Sequence, residues 1–585
     1  MRHSVGVVLL VLAGLSVVAA TGTEEFLFLD EIAPGMTGIG RTIVADNEIE
    51  AFQVEVIAVL DEPGTANDFI VVRVSGEAIG RSGGISQGMS GSPIYIEDRL
   101  VGALSRAASW SKELLPIGLV TPIESMLRLL EKDTQNGLAN GLYSGSACLD
   151  NVVLLATSFS SERAVRALWQ GAQGQTPIGR DTSATMRHDL PAWAIGDGLM
   201  QSGLAPTGLY LAPIAGLDTG SASSARSPSE FEPEPGTAIG VALATGDVSI
   251  GALGTLTHAE DGSILGFGHP FLANGTCAFP LTTVEILDTI RAYDASYKLG
   301  RLGETIGTVY ADRNAGVAAR LGELPEMIAV ESSVRDSDRQ VTSTLNLQLV
   351  DERRLLPLLT YATLLETIDV ALDRVGEGTA RVLFRVEGDG MSEPLVRHDV
   401  FLSSNDVAVY PPWQMADIVA FLSYNPFSDP GISRLSLEVD VTEELDYFDI
   451  LDLELDMDAY FPGETINYTV TLSSARHGSR MIEGMLEIAE DEEAYYVAVR
   501  AYGGSRPVEG GEAGPSLNSL EDIVAFVGAL PSNDDLTVEL FSLDPWSPYA
   551  DAWVGVAANR TTLDGVAILG RAEIIVPVFL PDETW

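Results

Sequence analysis

Residues 83–105 read GGISQGMSGSPIYIEDRLVGALS. Gly88 and Gly91 bracket Met89-Ser90 and allow the backbone a tight turn that a residue with a Cβ resists. After the turn, SPIYI and RLVGALS carry the branched and aromatic residues of short strands, reversed at Glu97-Asp98. The same texture runs upstream in PGMTGIGRTIV, EAFQVEVIAVL and DFIVVRVSG, with turn signals about eight to twelve residues apart, the spacing of a small antiparallel barrel. That unit is expected over 24–132. It ends in TPIESMLRLLEK, a helix with Pro122 and Glu124 in its first turn. A Gly/Asn/Ser loop follows at 133–150.

Further along, residues 151–216 read as a connecting α/β subdomain, and 217–236 (LDTGSASSARSPSEFEPEPG) as a linker without periodicity. A second strand-rich block spans 237–350, with Asp261-Gly262 marking a hairpin between VSIGALGTLTHA and SILGFGHPF. A helical and strand connector is expected over 351–430, with a helix from Pro357 to about Arg374 whose face is Leu364, Leu365, Ile368, Ala371 and Leu372. Residues 431–585 alternate apolar and polar residues at 435–441, 451–457 and 466–472 and predict an Ig-like β region. DIVAF occurs at 417–421 and at 522–526, a match short enough for coincidence.

The Ser90 turn suits acyl transfer. A nucleophile stands beside consecutive N–H groups, and the amides of Gly88 and Ser90 would form the oxyanion hole. The pattern G-x-S-G-S-P followed by two strands is similar to the nucleophile loop of chymotrypsin-like barrels, although a plain Gly/Ser hairpin loop explains the hexapeptide as well. A serine needs a base, usually histidine. Of His3, His188, His258, His269, His398 and His477, only His3 precedes Ser90, so a base must come from later in the chain. His269, between Gly268 and Pro270, ends a strand where a side chain can project into a cleft. His258 reads better as an ordinary strand histidine.

Taken together, GGISQGMSGSPIYIEDRLVGALS resembles the nucleophile segment of the SpoIVB-type serine peptidases, and GALGTLTHAEDGSILGFGHPFLANG resembles the family's histidine segment. YKLGRLGETIGTVYADRNAGVAARLG is similar to the family's next segment, directly after the histidine. The order is reversed relative to SpoIVB, with the serine segment first. The resemblance implies a mainly β, chymotrypsin-like double β-barrel with permuted half-barrels: Ser-bearing over 24–132, His-bearing over 237–350. It also implies a serine endopeptidase acting on protein or peptide substrates, with Ser90 as nucleophile and His269 as general base. It does not supply an acid, because the family's aspartate, fifteen positions before the nucleophile, is Ser75 here. Asp312 is the first candidate, ahead of Asp288 and Glu285, unless the site is a Ser-His dyad.

Composition sets the outer bounds. With 34 Lys+Arg against 83 Asp+Glu the net charge is -49, which repels phosphate backbones and excludes nucleic acid as a natural partner. Residues 1–20 read as a secretory signal with cleavage near Ala20, predicting an exported chain, periplasmic or extracellular, without stable membrane insertion. Cys148 and Cys277, the two cysteines, suit one long-range bridge or two free thiols, and no metal or other cofactor is expected. The competing reading is a non-catalytic secreted or envelope scaffold that binds protein or carbohydrate.

Overall fold

The computed structural model describes residues 26–61, 68–107, 115–131, 153–157, 163–164, 166–167, 209–213, 231–292, 296–504, 517–543 and 553–579. Residues 1–20, Cys148 and most of 151–236 lie outside them, and with them the expectations placed there.

Six strands form the first unit: β1 (Thr37–Ile43), β2 (Ile49–Leu60), β3 (Phe69–Ser75), β4 (Ser92–Ile96), β5 (Arg99–Ala107) and β6 (Ile117–Pro122). Their order, β1-β2-β3-β6-β5-β4, closes where Gly38 pairs with Ile96. Closure follows from strict alternation: Phe52, Val54 and Val56 of β2 and Ile70, Val72 and Val74 of β3 are buried in one core with Ile94 and Ile96 of β4. A short helix α1 (Glu77–Ser82) leads into the Ser90 turn, and α2 (Ile123–Leu127) follows β6.

Beyond it come β7 (Val153–Thr157) and β8 (Leu209–Pro213), a parallel pair, and then β9 (Ala238–Gly246), β10 (Ile250–Glu260), β11 (Ser263–Gly266), β12 (Gly275–Ile290), β13 (Tyr297–Arg313) and β14 (Gly316–Leu321). From β9 the pairings run through β12, β13, β14, β11 and β10 and return to β9, a second ring of six strands. This ring is continuous with a larger sheet that adds β15 (Met327–Asp336), β16 (Val341–Val350), β17 (Gly378–Gly388), β18 (Leu395–Ser403) and β19 (Ile432–Thr442). Helices α3 (Leu356–Leu372) and α4 (Tyr410–Ser423) pack against each other, and α3 packs on β15 and β16. The helix expected from Pro357 is thus present, but it is buried almost all round, not along one face.

The C-terminal part holds β20 (Tyr447–Leu455), β21 (Thr465–Ser474), β22 (Gly478–Glu487), β23 (Tyr496–Gly503), helix α5 (Leu520–Ala529), β24 (Asp535–Leu543), β25 (Trp553–Thr562), β26 (Ala567–Leu569) and β27 (Arg571–Pro577). They make two four-stranded sheets, β22-β21-β20-β26 and β25-β24-β23-β27, over one apolar core that includes Ile466, Val470, Val499 and Val538. Three expectations need correction. The alternating strand 435–441 is β19, which runs parallel to β15 inside the large sheet and not in the C-terminal pair of sheets. Leu451 is exposed because a bulge between Ile450 and Asp452 breaks the alternation of β20. Cys277 is a free thiol, so the bridge to Cys148 is not formed.

The two rings press together. Leu100, Ala103, Ile123 and Met126 of the first share a core with Leu265, Ala311 and Ala318 of the second. Both the serine turn and the histidine turn lie on this seam.

Candidate active site

The turn between α1 and β4 is pinned almost completely by its own backbone. Gln87 N–H donates to Ser296 O (2.8 Å), Met89 N–H to Ser86 O (3.1 Å), Gly91 N–H to Leu104 O (2.8 Å) and Ser92 N–H to Met89 O (3.0 Å). The carbonyls are engaged too. Gln87 O accepts from Lys298 N (3.0 Å), Ser90 O from Thr255 N (2.8 Å), Gly88 O from Thr255 Oγ1 (3.0 Å) and Gly91 O from Thr257 Oγ1 (2.7 Å). Met89 O also accepts from Ser92 Oγ at 2.6 Å.

Among the described residues, the N–H groups of Gly88 and Ser90 alone in this turn meet no acceptor. A trans peptide points its N–H opposite its C=O. With the carbonyls of Gln87 and Met89 drawn into the seam, the N–H groups of Gly88 and Ser90 are turned away from those anchors. Two free donors on alternate residues, one of them the serine's own, are what a developing oxyanion requires. Gly91, at φ +95°, admits no side chain, since a Cβ there would lie 1.9 Å from Thr255 O and 2.5 Å from Phe267 N.

That last contact brings in the histidine turn. After β11, Phe267 and Gly268 both take left-handed backbone (φ 68° each), Phe267 being a buried residue in a conformation that bulky side chains avoid. Thr121 Oγ1 donates to Gly268 O at 2.6 Å, and Gly268 packs on Ala103 and Ser105 of β5. His269 is 8% exposed, and its Nδ1 lies 2.8 Å from Pro270 O. A carbonyl oxygen can only accept, so Nδ1 carries the proton and the neutral ring keeps its lone pair on Nε2. Desolvation lowers its pKa to about 4, against the Pro270 hydrogen bond and with help from the Arg106 charge. The ring is therefore an uncharged base at neutral pH.

Asp312 is fully buried on β13, and its carboxylate accepts from the N–H groups of Phe271 (2.7 Å), Leu272 (2.7 Å) and Asn274 (3.0 Å). Burial raises its pKa while those donors oppose the shift. It holds the loop that carries His269; the ring itself is held by Pro270. Asp288 accepts from Thr289 N (2.7 Å), and Glu285 stands opposite Arg301 in the β12–β13 register. His258 is buried with its ring edge-on to Phe26 and its Nε2 3.7 Å from Glu260.

The two turns are in main-chain contact, with Gly91 against Phe267, one residue from Ser90 and two from His269. No hydrogen bond joins Ser90 Oγ to the His269 ring in the free chain, and such bonds tighten in the substrate complex. Thr255, Thr121, Ser92 and Lys298, which fix the two turns, are single polar residues in strands with no motif around them to announce the role.

Residues 20–109 match the model of the SpoIVB peptidase S55 family. The chain carries an S55 serine peptidase domain. The matched span contains β1 to β5 and Ser90, and ends before His269. No curated protein and no solved structure matches the chain.

Proposed function

We propose that the protein is an exported serine endopeptidase that hydrolyses peptide bonds through an acyl-enzyme, with Ser90 as nucleophile and His269 as base. The observation that carries this reading is the pair of unengaged N–H groups on Gly88 and Ser90, set in a turn whose carbonyls are otherwise all bound. In this mechanism Nε2 of His269 takes the Ser90 hydroxyl proton as Oγ attacks the scissile carbonyl. The carbonyl oxygen becomes an anion between the two N–H groups, and the imidazolium then returns the proton to the leaving amine. Pro270 O stands where the acid of a triad would, and a neutral carbonyl orients the ring but stabilises its cation less than a carboxylate does. We assign Asp312 to positioning the 271–274 loop, which makes the catalytic pair a Ser-His dyad.

The two rings of strands support a chymotrypsin-like double barrel with the serine barrel first, and the two C-terminal sheets support an Ig-like accessory region. Export rests on the signal-like residues 1–20. A fluorophosphonate probe tests the reading without a known substrate. Wild-type protein is expected to label at Ser90 and Ser90→Ala not at all; a wild-type chain that stays unlabelled would count for the scaffold instead.

A further inference from the structure

Lys298 lies on β13, 1% exposed, one of three lysines in the chain. Its Nζ is 3.0 Å from Thr42 Oγ1 on β1 and 3.4 Å from Thr255 Oγ1 on β10. Its main-chain N–H holds Gln87 O, and the Thr255 hydroxyl holds Gly88 O. The methylene stem lies along Gly88, where a Cβ would sit 3.0 Å from Lys298 Cδ and 3.2 Å from its Cβ and Cγ. Among the described residues no carboxylate forms an ion pair with it, and desolvation lowers its pKa to about 7. Packing alone does not explain such a residue, because a methionine would fill the same space without burying an amine.

We propose that Lys298 is a positioning residue for the oxyanion hole, acting on Gly88 through Thr255. The inference rests on the peptidase reading of Ser90. An N–H of the amine donates to Thr255 Oγ1, which leaves that hydroxyl's own proton aimed at Gly88 O. The lysine's main chain holds the peptide before Gly88, and its side chain, through Thr255, holds the peptide after it. Both planes flanking Gly88 are then fixed, and the Gly88 N–H is fixed with them. Without the amine the Thr255 hydroxyl rotates freely, the Gly88–Met89 plane is released, and the donor is misaligned when the oxyanion forms. The binding of a ligand in its ground state depends on this far less than the reaction rate does.

The test is the rate of fluorophosphonate labelling, resolved into kinact and KI, since the phosphoryl oxygen of the adduct occupies the hole. Lys298→Met and Thr255→Val are each expected to lower kinact about tenfold or more, a fraction of the roughly 10²–10³ lost when a donor is removed outright, with KI unchanged. Thr255→Ser, which keeps the hydroxyl, is expected to restore the rate to within about threefold of wild type. The double variant Lys298→Met/Thr255→Val is expected to be no slower than the slower single variant, because the two act in series. A wild-type kinact in Lys298→Met, a change confined to KI, or multiplying effects in the double variant would overturn the proposal. Should Lys298→Met fail to fold, the valine and serine variants decide it, and equal rates in those two would overturn it. Wild-type labelling at Ser90 is the control. Its absence removes the peptidase reading and this inference together, whereas its presence beside an unaffected Lys298→Met removes the inference alone.

Discussion

His269 and Lys298 are both driven toward their neutral forms by burial, and each leaves a signature in pH. The base must be unprotonated to accept the Ser90 proton, and with its pKa at about 4 it stays so well below the ordinary value of 6.5. The rate of fluorophosphonate labelling is therefore expected to fall on the acid side with a midpoint near pH 4; a midpoint near 6.5 would place the working base elsewhere. For Lys298, lowered from 10.5 to about 7, the unfolded chain holds the proton between those values and the folded chain does not. Stability then rises with pH across that window, and below it the whole burden of a buried cation remains. Lys298→Met is expected to melt higher than wild type at pH 6, by a margin that narrows toward pH 10, even as it slows labelling. Ser92 belongs at this scale too. Its buried hydroxyl is the second donor to Met89 O, so Ser92→Ala is expected to keep labelling at Ser90 at a reduced rate. Appearance of the label at Ser92 in the wild type would refute the assignment of the turn.

At the scale of elements, the histidine turn shows what one buried carboxylate can organise. Asp312 receives three main-chain N–H groups from the loop 271–274. An asparagine in its place turns an NH₂ toward donors that need an acceptor, at a cost of about 1–3 kcal/mol for each group left unsatisfied. Asp312→Asn is expected to lower the urea midpoint and the labelling rate together while leaving the acid midpoint near pH 4 in place. A shift of that midpoint with stability unchanged would instead mark Asp312 as the partner of the ring. Elements of this kind were only partly legible in the sequence. Ser90 and His269 announced themselves through flanking glycines and a proline, which signal turns by local chemistry. Thr255, Thr121 and Lys298 act across more than a hundred residues of chain, and local periodicity carries no record of what a strand will face. Alternation predicted β19 as a strand but said nothing of its neighbours. The Ile450–Asp452 bulge reversed the phase of β20 at a point where the residues still alternate.

For the whole molecule, the arrangement of sheets decides which damage reaches the site. The serine and histidine turns are joined by main-chain bonds and a shared core, so they rise and fall together, whereas the C-terminal sheets are fastened through a separate polar joint. There Arg397 on β18, 3% exposed, donates to Asp399 Oδ2 (2.7 Å), Leu530 O (2.7 Å) and Pro531 O (3.0 Å), and Asp399 Oδ1 accepts from Asn533 N (2.9 Å). The joint ties the segment between α5 and β24 to the large sheet. Gln414 of α4 donates to the same carboxylate at 2.7 Å. Removing the guanidinium leaves Asp399 buried with its charge uncompensated, a change that costs about 3–5 kcal/mol in comparable buried pairs. The severed contacts lie between the large sheet and the C-terminal region, not on the seam that holds Ser90 and His269. Arg397→Leu is accordingly expected to expose the 530–535 segment to limited proteolysis and to lower the first melting transition, with the Ser90 labelling rate close to wild type at temperatures below that transition. Loss of labelling in step with the loosened joint would show instead that the accessory sheets and the catalytic seam form one cooperative unit.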